Sequence, residues 1–161
     1  MLKIKQILRY FVENYPYKNE LSKTRITKMV FLADWYSCLS TGKQLTSINW
    51  YFDHYGPYVS DVFEAAKKDR RLQVKQEINS FGTLKEVVSL KDDIFFYYDH
   101  RKIEGITKSI LDQVIDDTKN MNWTEFINYI YSSYPIKSSK KYLYLDLEAL
   151  SVECSKKGIK Y

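Results

Sequence analysis

The sequence predicts an α+β fold, mainly α-helical: one compact domain over residues 1–161, with about five to six helices and a small antiparallel β-hairpin. Three observations carry this. Most of the chain repeats its apolar residues every three or four positions, the spacing of one helix face. Between Leu72 and Leu90 the period changes to two, with turn residues in the middle. The chain has 161 residues, 45% hydrophobic, with only 5 Gly and 3 Pro, which suits one domain with a buried core and excludes a linker, a collagen or a disordered chain.

Residues 2–15 place Ile4, Ile7, Leu8, Phe11, Val12 and Tyr15 at helical spacing, with Lys3, Lys5, Arg9 and Glu13 opposite. Pro16 ends this helix, because its ring lacks a backbone donor and biases Tyr15 toward extended backbone. A second helix begins after Ser22, a suitable N-cap, and runs to about Ser40, with Gly42 as its C-terminal signal. Its middle, Met29 to Tyr36, is apolar on nearly every side, which marks a core helix that includes Trp35 and Tyr36. Asp34 in that stretch needs a partner, since burying an unpaired carboxylate costs several kcal/mol, on the order of the desolvation penalty.

Residues 48–53 read as a short strand, followed by a turn at Gly56-Pro57. There Gly56 permits a backbone conformation or a close approach that a side chain would block, and Pro57 suits the first turn of the helix that follows. Val59, Val62, Phe63 and Ala66 suit that helix, which stops at the charged run Lys67 to Arg71. Leu72, Val74, Gln76 and Ile78 alternate, Asn79 to Gly82 turn, and Leu84, Glu86, Val88 and Leu90 alternate again, which predicts a β-hairpin. Ile94 to Tyr98 is apolar and aromatic but too short to classify by period. Ile103, Ile106, Ile110 and Val114 mark the next helix. Asn122 and Glu125 form a capping-box spacing for a helix with Trp123, Phe126, Ile127 and Ile130 on its apolar face, which Pro135 closes. A last short helix spans Asp146 to Ser155.

No apolar run approaches the roughly 18 residues a membrane span needs, and the N-terminal segment lacks the apolar stretch and cleavage site of a signal peptide. Cys38 and Cys154 are isolated, with no disulfide framework and no C-x-x-C. These features lead to the expectation of a cytoplasmic protein with no membrane partner. Phosphate-loop, dinucleotide-binding, nucleophile-elbow and H-E-x-x-H patterns are all missing. The only histidines follow aspartates, as Asp53-His54 and Asp99-His100. They would serve as metal ligands or an acid–base pair only if the fold brought them together. Solvated or hydrogen-bonded histidines are the better reading, so no enzyme activity is expected.

The net charge is +5. The clusters Lys67-Lys68-Arg70-Arg71, Lys137-Lys140-Lys141 and Lys156-Lys157 offer phosphate contacts, and an alternative reading is a small basic DNA-binding or phage-associated regulatory protein. Interleaved acids such as Asp112, Asp116 and Asp117 favour an ordinary solvated surface instead. Helices at 2–15 and 23–40 have the outline of a helix-turn-helix, but the second is too apolar all round to lie free in a major groove.

Three blocks occur in order: Lys28-Met-Val-Phe-Leu-Ala-Asp-Trp-Tyr36, Thr41-Gly42-Lys43-Gln44-Leu45-Thr46, and Tyr55-Gly56-Pro57-Tyr58-Val59. Together they resemble the Panacea domain family of SocA-like antitoxins, related to phage-associated GepA-like proteins. Trp123 to Ile136 looks like the family's C-terminal part. The resemblance implies a mostly helical antitoxin of a bacterial or prophage toxin–antitoxin system, with a cognate protein toxin as partner. It also implies, for a SocA-type member, an adaptor role delivering the toxin to a AAA+ protease. Neither catalysis nor a cofactor is implied. Asp34, Trp35, Tyr36, Gly42, Gly56 and Pro57 are the structural positions of the matched blocks.

The chain contains 15 tyrosines against 8 phenylalanines and 3 tryptophans. Such an excess follows either from an AT-rich coding composition or from an interaction surface, where a large ring with a hydroxyl is favoured. Tyr10, Tyr15 and Tyr36 fall on core-facing helices, and Tyr129 to Tyr144 decorate the C-terminal part. The aromatic turn is the expected partner-binding place, through Trp50, Phe52, His54, Tyr55 and Tyr58 as exposed rings beside polar groups.

Overall fold

The computed structural model describes residues 3–92 and 102–159. The apolar segment Ile94 to Tyr98 and the pair Asp99-His100 lie outside the described residues. Helix α1 (Ile4–Asn14) buries Ile7, Leu8, Phe11 and Val12, as its spacing predicts, and gives way to extended backbone at Tyr15 before Pro16. After a short 3-10 turn at Lys18–Glu20, helix α2 (Lys23–Thr41) starts where the Ser22 side chain accepts from the Arg25 amide. It closes on Gly42 in the left-handed region, at φ 76°. Residues Arg25 to Trp35 of α2 are all buried, because α1, α3, α4 and α7 pack around it.

Strand β1 (Tyr51–Asp53) pairs antiparallel with β2 (Gly56–Tyr58) in the register Tyr51↔Tyr58, Phe52↔Pro57, Asp53↔Gly56. The turn is therefore His54-Tyr55, and the expected turn at Gly56-Pro57 is corrected: both residues lie in the returning strand. Pro57 is tolerated there because the amide and carbonyl of Phe52, opposite it, bond to the other neighbour of β1. Phe52 N donates to Leu143 O at 2.9 Å and Tyr142 N to Phe52 O at 2.6 Å, so β1 asks no donor of the proline. The helix after it, α3 (Asp61–Lys68), begins four residues later, so Pro57 is not in its first turn.

The hairpin of β3 (Leu72–Ile78) and β4 (Leu84–Leu90) runs in register from Leu72↔Leu90 to Ile78↔Leu84, as the alternation predicts. Val87 and Val88 are buried, while Phe81 at the tip is 91% exposed. Helices α4 (Gly105–Thr118), α5 (Trp123–Ser132), α6 (Tyr134–Ser138) and α7 (Leu147–Lys156) complete the described elements. The Asn122–Glu125 capping box forms in full. Pro135 does more than close α5: it sits in the first turn of α6, where its missing N–H costs no hydrogen bond. This short helix makes seven among the described residues, against the five to six expected. The fold is α+β and mainly helical. None of the described helices is long and apolar enough to cross a membrane.

One cluster of buried apolar side chains extends from Ile7 to Cys154. Two cations, Arg25 buried and Arg9 partly buried, tie its edges. Arg25 Nη1 donates to Tyr15 Oη at 3.0 Å and Nη2 to the Met121 carbonyl at 3.0 Å, with the Thr118 carbonyl 3.4 Å from Nη1. These carbonyls end or follow α4, so the guanidinium lies at the negative end of that helix and stacks on Phe126, 4.5 Å from its centroid. Arg9 grips Asp69 with Nε 3.1 and 3.0 Å from the two carboxylate oxygens, fastening α1 to the end of α3.

Candidate functional site

Two charged residues on the core helix position the aromatic turn. Lys28 and Asp34 are 2% and 0% exposed, and α2 presents them nearly two turns apart. Asp34 accepts from Thr46 N at 2.9 Å, Thr46 Oγ1 at 2.5 Å, Trp50 Nε1 at 2.9 Å and Gln44 Nε2 at 3.3 Å. This supplies the partner that the sequence demanded and folds the loop after α2 back onto its own helix. Burial pushes the Asp34 carboxyl up, and the hydrogen bonds from Thr46 and Trp50 oppose that shift.

Lys28 serves the hairpin. Its Nζ donates to the carbonyls of Tyr55 at 2.9 Å and Pro57 at 3.3 Å. Burial pushes the ammonium down to about 8, against the favourable field of Asp53. Gly56 has φ +96°, and a Cβ placed on it would lie 3.4 Å from Lys28 Nζ and 3.6 Å from the Tyr131 ring. Of the two alternatives expected for this glycine, the backbone one holds: φ is in the region that favours glycine, while a Cβ would meet its neighbours at ordinary contact distance. Lys28 was missed as a site-building residue because a lysine at the edge of an apolar stretch reads as its solvated flank.

The expected aromatic contacts divide. Trp50 is 0% and Phe52 4% exposed, which corrects their assignment as exposed anchors. Residues two apart in an extended segment share one face, and here that face is the core: Trp50 meets Phe31 edge-on at 5.4 Å. His54 and Tyr55 are exposed, and Tyr58 is half-buried. Tyr55 is 77% exposed, with its ring 4.5 Å from that of His54.

The structure adds residues distant in sequence. The segment 142–145 lies along the free edge of β1, where Leu145 N donates to Trp50 O at 2.8 Å and Tyr51 bridges to Tyr144. It brings Tyr142, Leu143 and Tyr144, all more than half exposed, beside the turn. His54 Nδ1 is 3.2 Å from Tyr142 Oη, and the Tyr51 and Tyr144 rings meet at 5.2 Å. Tyr142 holds φ 68°, the single positive φ outside glycine among the described residues. A tyrosine in that region is strained. The sequence signal for this half of the surface was only the density of tyrosines after Ile136.

Among the remaining motif residues, Trp35 is core and stacks on Tyr134 at 6.5 Å. Tyr36 is half-buried rather than fully core, and its hydroxyl donates to Asp117 Oδ2 at 2.8 Å and shares a hydrogen bond with Tyr129. Burial pushes both phenols above their ordinary range. The Asp53 carboxylate accepts from the His54 backbone amide at 2.8 Å. Its proposed companion pair, Asp99-His100, lies outside the described residues. Among those described, no group of three or more potential metal ligands assembles.

The family model for the SocA-like antitoxin, Panacea domain, matches residues 26–135. The chain belongs to this family. No curated protein and no solved structure matches it. The Panacea match includes most of α2, the β1–β2 hairpin and α3 to α5, and it therefore contains Lys28, Asp34 and Gly56. Tyr142, Leu143 and Tyr144 fall beyond it. The aromatic surface thus joins a turn of the family frame to a segment outside the matched region.

Proposed function

We propose that this Panacea-domain protein is the antitoxin of a toxin–antitoxin system and neutralises a protein toxin by direct binding, without catalysis. The observation that supports this reading, beside family membership, is the aromatic surface of His54, Tyr55, Tyr142, Leu143 and Tyr144. Tyrosine rings held by a paired backbone lose little conformational freedom on binding and combine apolar area with a hydroxyl, which is why they recur as interface anchors. Lys28 and Asp34 set the base from which these rings project, so the docking surface is pre-organised.

The test is co-expression with the product of the adjacent gene, as a growth-inhibitory candidate toxin. The wild-type chain restores growth and copurifies with the toxin, whereas Tyr55→Ser combined with Tyr144→Ser keeps the fold and loses both. Rescue by the double variant at wild-type level would refute this docking surface, and absence of both rescue and copurification for the wild type would refute the antitoxin reading. Toxin lifetime separates two modes of action: simple occlusion leaves it unchanged, and delivery to a AAA+ protease shortens it.

A further inference from the structure

A groove of about 760 Å³ lies between the N-terminal end of α1 and the C-terminal end of α3; it is lined by Lys3, Lys5, Arg9, Lys68, Asp69 and Arg70 among others, and no described residue of the aromatic hairpin is in its lining. The fold sorts the basic run at 67–71 by partner. Lys67 pairs with Glu64 at 2.5 Å and Arg71 with Glu13 at 2.9 Å. Lys68 and Arg70 are exposed and make no ion pair among the described residues, and the same holds for Lys3 and Lys5 across the groove. The acid in the lining, Asp69, is unavailable: its side chain is 0% exposed, and its oxygens accept from Arg9 Nε and, at 2.8 Å, from the Arg71 amide. Four solvent-facing cations from two elements therefore converge on one groove, and among the described residues that line it no carboxylate is accessible.

We propose that this groove binds the phosphate backbone of duplex DNA without sequence specificity, through Lys3, Lys5, Lys68 and Arg70. Phosphate is the ligand such a cluster fits, since each cation released from mutual repulsion displaces a condensed counterion. A duplex fits better than a single strand because none of the described residues that line the groove is aromatic, and single-strand binders depend on rings for base stacking. Sequence specificity is not expected, because contacts to phosphates alone carry no sequence information. The proposal is independent of the antitoxin reading and uses a different surface.

The experiment measures anisotropy of a labelled 20-base-pair duplex with the full chain between 50 and 200 mM salt. Four phosphate contacts give a slope of about −3.6 in log–log form, an affinity loss of about 150-fold over that range. Lys5→Gln, Lys68→Gln and Arg70→Gln combined should bring the slope to roughly −0.9, since each lost contact removes about one from it. These side chains are exposed, so circular dichroism should match wild type. Neutralising the other cluster, at Lys137, Lys140 and Lys141, should leave affinity within about twofold, as expected if those lysines make no phosphate contact. The proposal is overturned by no binding at 50 mM salt, by a flat salt response or by equal loss in the second cluster variant. Tighter binding of a single strand, or equal binding of polyglutamate of matched charge, also overturns it.

Discussion

The indole Nε1 of Trp50 donates to Oδ2 of Asp34 across 2.9 Å, and this contact turns the largest ring of the aromatic segment away from solvent. Thr46 contributes two further donors to the same carboxylate. The outward surface of the hairpin is thus defined by a buried acid that a partner could never touch.

Removing that acid should be severe. Asp34→Ala leaves the indole N–H and the Thr46 amide and hydroxyl without an acceptor in a closed core, with an expected cost of about 3–5 kcal/mol. Urea unfolding should show a lower midpoint, and tryptophan emission should shift to the red as Trp50 loosens. A loss below about 1 kcal/mol would show that the network contributes little.

Lys28 predicts a pH dependence. Its folded-state value is lowered to about 8 from 10.5, so between those values the unfolded chain binds more protons and stability rises with pH. The cost of burying the charge, about 3 kcal/mol, is complete below pH 8 and is relieved as pH rises toward 10.5. Wild type should gain about 2 kcal/mol relative to Lys28→Met between pH 7 and 9.5, measured by urea titration in parallel. A constant difference between the two proteins across that range would contradict the assignment.

Gly56→Ala forces a side chain onto φ +96°, further from the left-handed well than the +76° of Gly42, with its Cβ at ordinary contact distance from Lys28 and Tyr131. The expected destabilisation is about 1–3 kcal/mol, visible as a lower Tm. Gly42→Ala provides the contrast, since its φ is also positive but open space surrounds it. The larger effect should be at Gly56.

Tyr142 separates stability from binding. Asparagine tolerates the left-handed backbone that Tyr142 occupies, so Tyr142→Asn should leave unfolding free energy within about 1 kcal/mol of wild type. Partner affinity should nevertheless fall by at least about tenfold, the usual effect of losing one anchor ring. Titration calorimetry against the purified toxin, beside a thermal melt, measures both. Unchanged affinity would remove Tyr142 from the interface.

Much of the frame was legible because its signals are local. Ser22 and Gly42 bracket α2, Asn122 and Glu125 cap α5, and the alternation from Leu72 to Leu90 sets the register of the long hairpin. Each of these depends on neighbours a few positions away. The errors had a different origin. Gly56-Pro57 carries turn chemistry, yet the turn fell two residues earlier, because Lys28 supplies donors for the strand carbonyls and Phe52 bonds to the other side.

By itself the sequence determined that the chain folds as a mainly helical α+β protein around a core helix, that Asp34 must be partnered, and that Gly56 stands where the chain needs a glycine, for its backbone or its surroundings. It also carried the motif blocks of the family. Only the tertiary structure decided that Trp50 and Phe52 face inward, that Lys28 is buried beneath the hairpin, and that Tyr142 to Tyr144 complete its exposed surface. The reason is physical: helix period and capping are properties of adjacent residues. Which side of a short extended segment meets water is decided by what packs on it, here Asp34 and Phe31 of α2, while its edge is completed by a segment about ninety residues further along the chain, whose pairing with β1 no local pattern encodes.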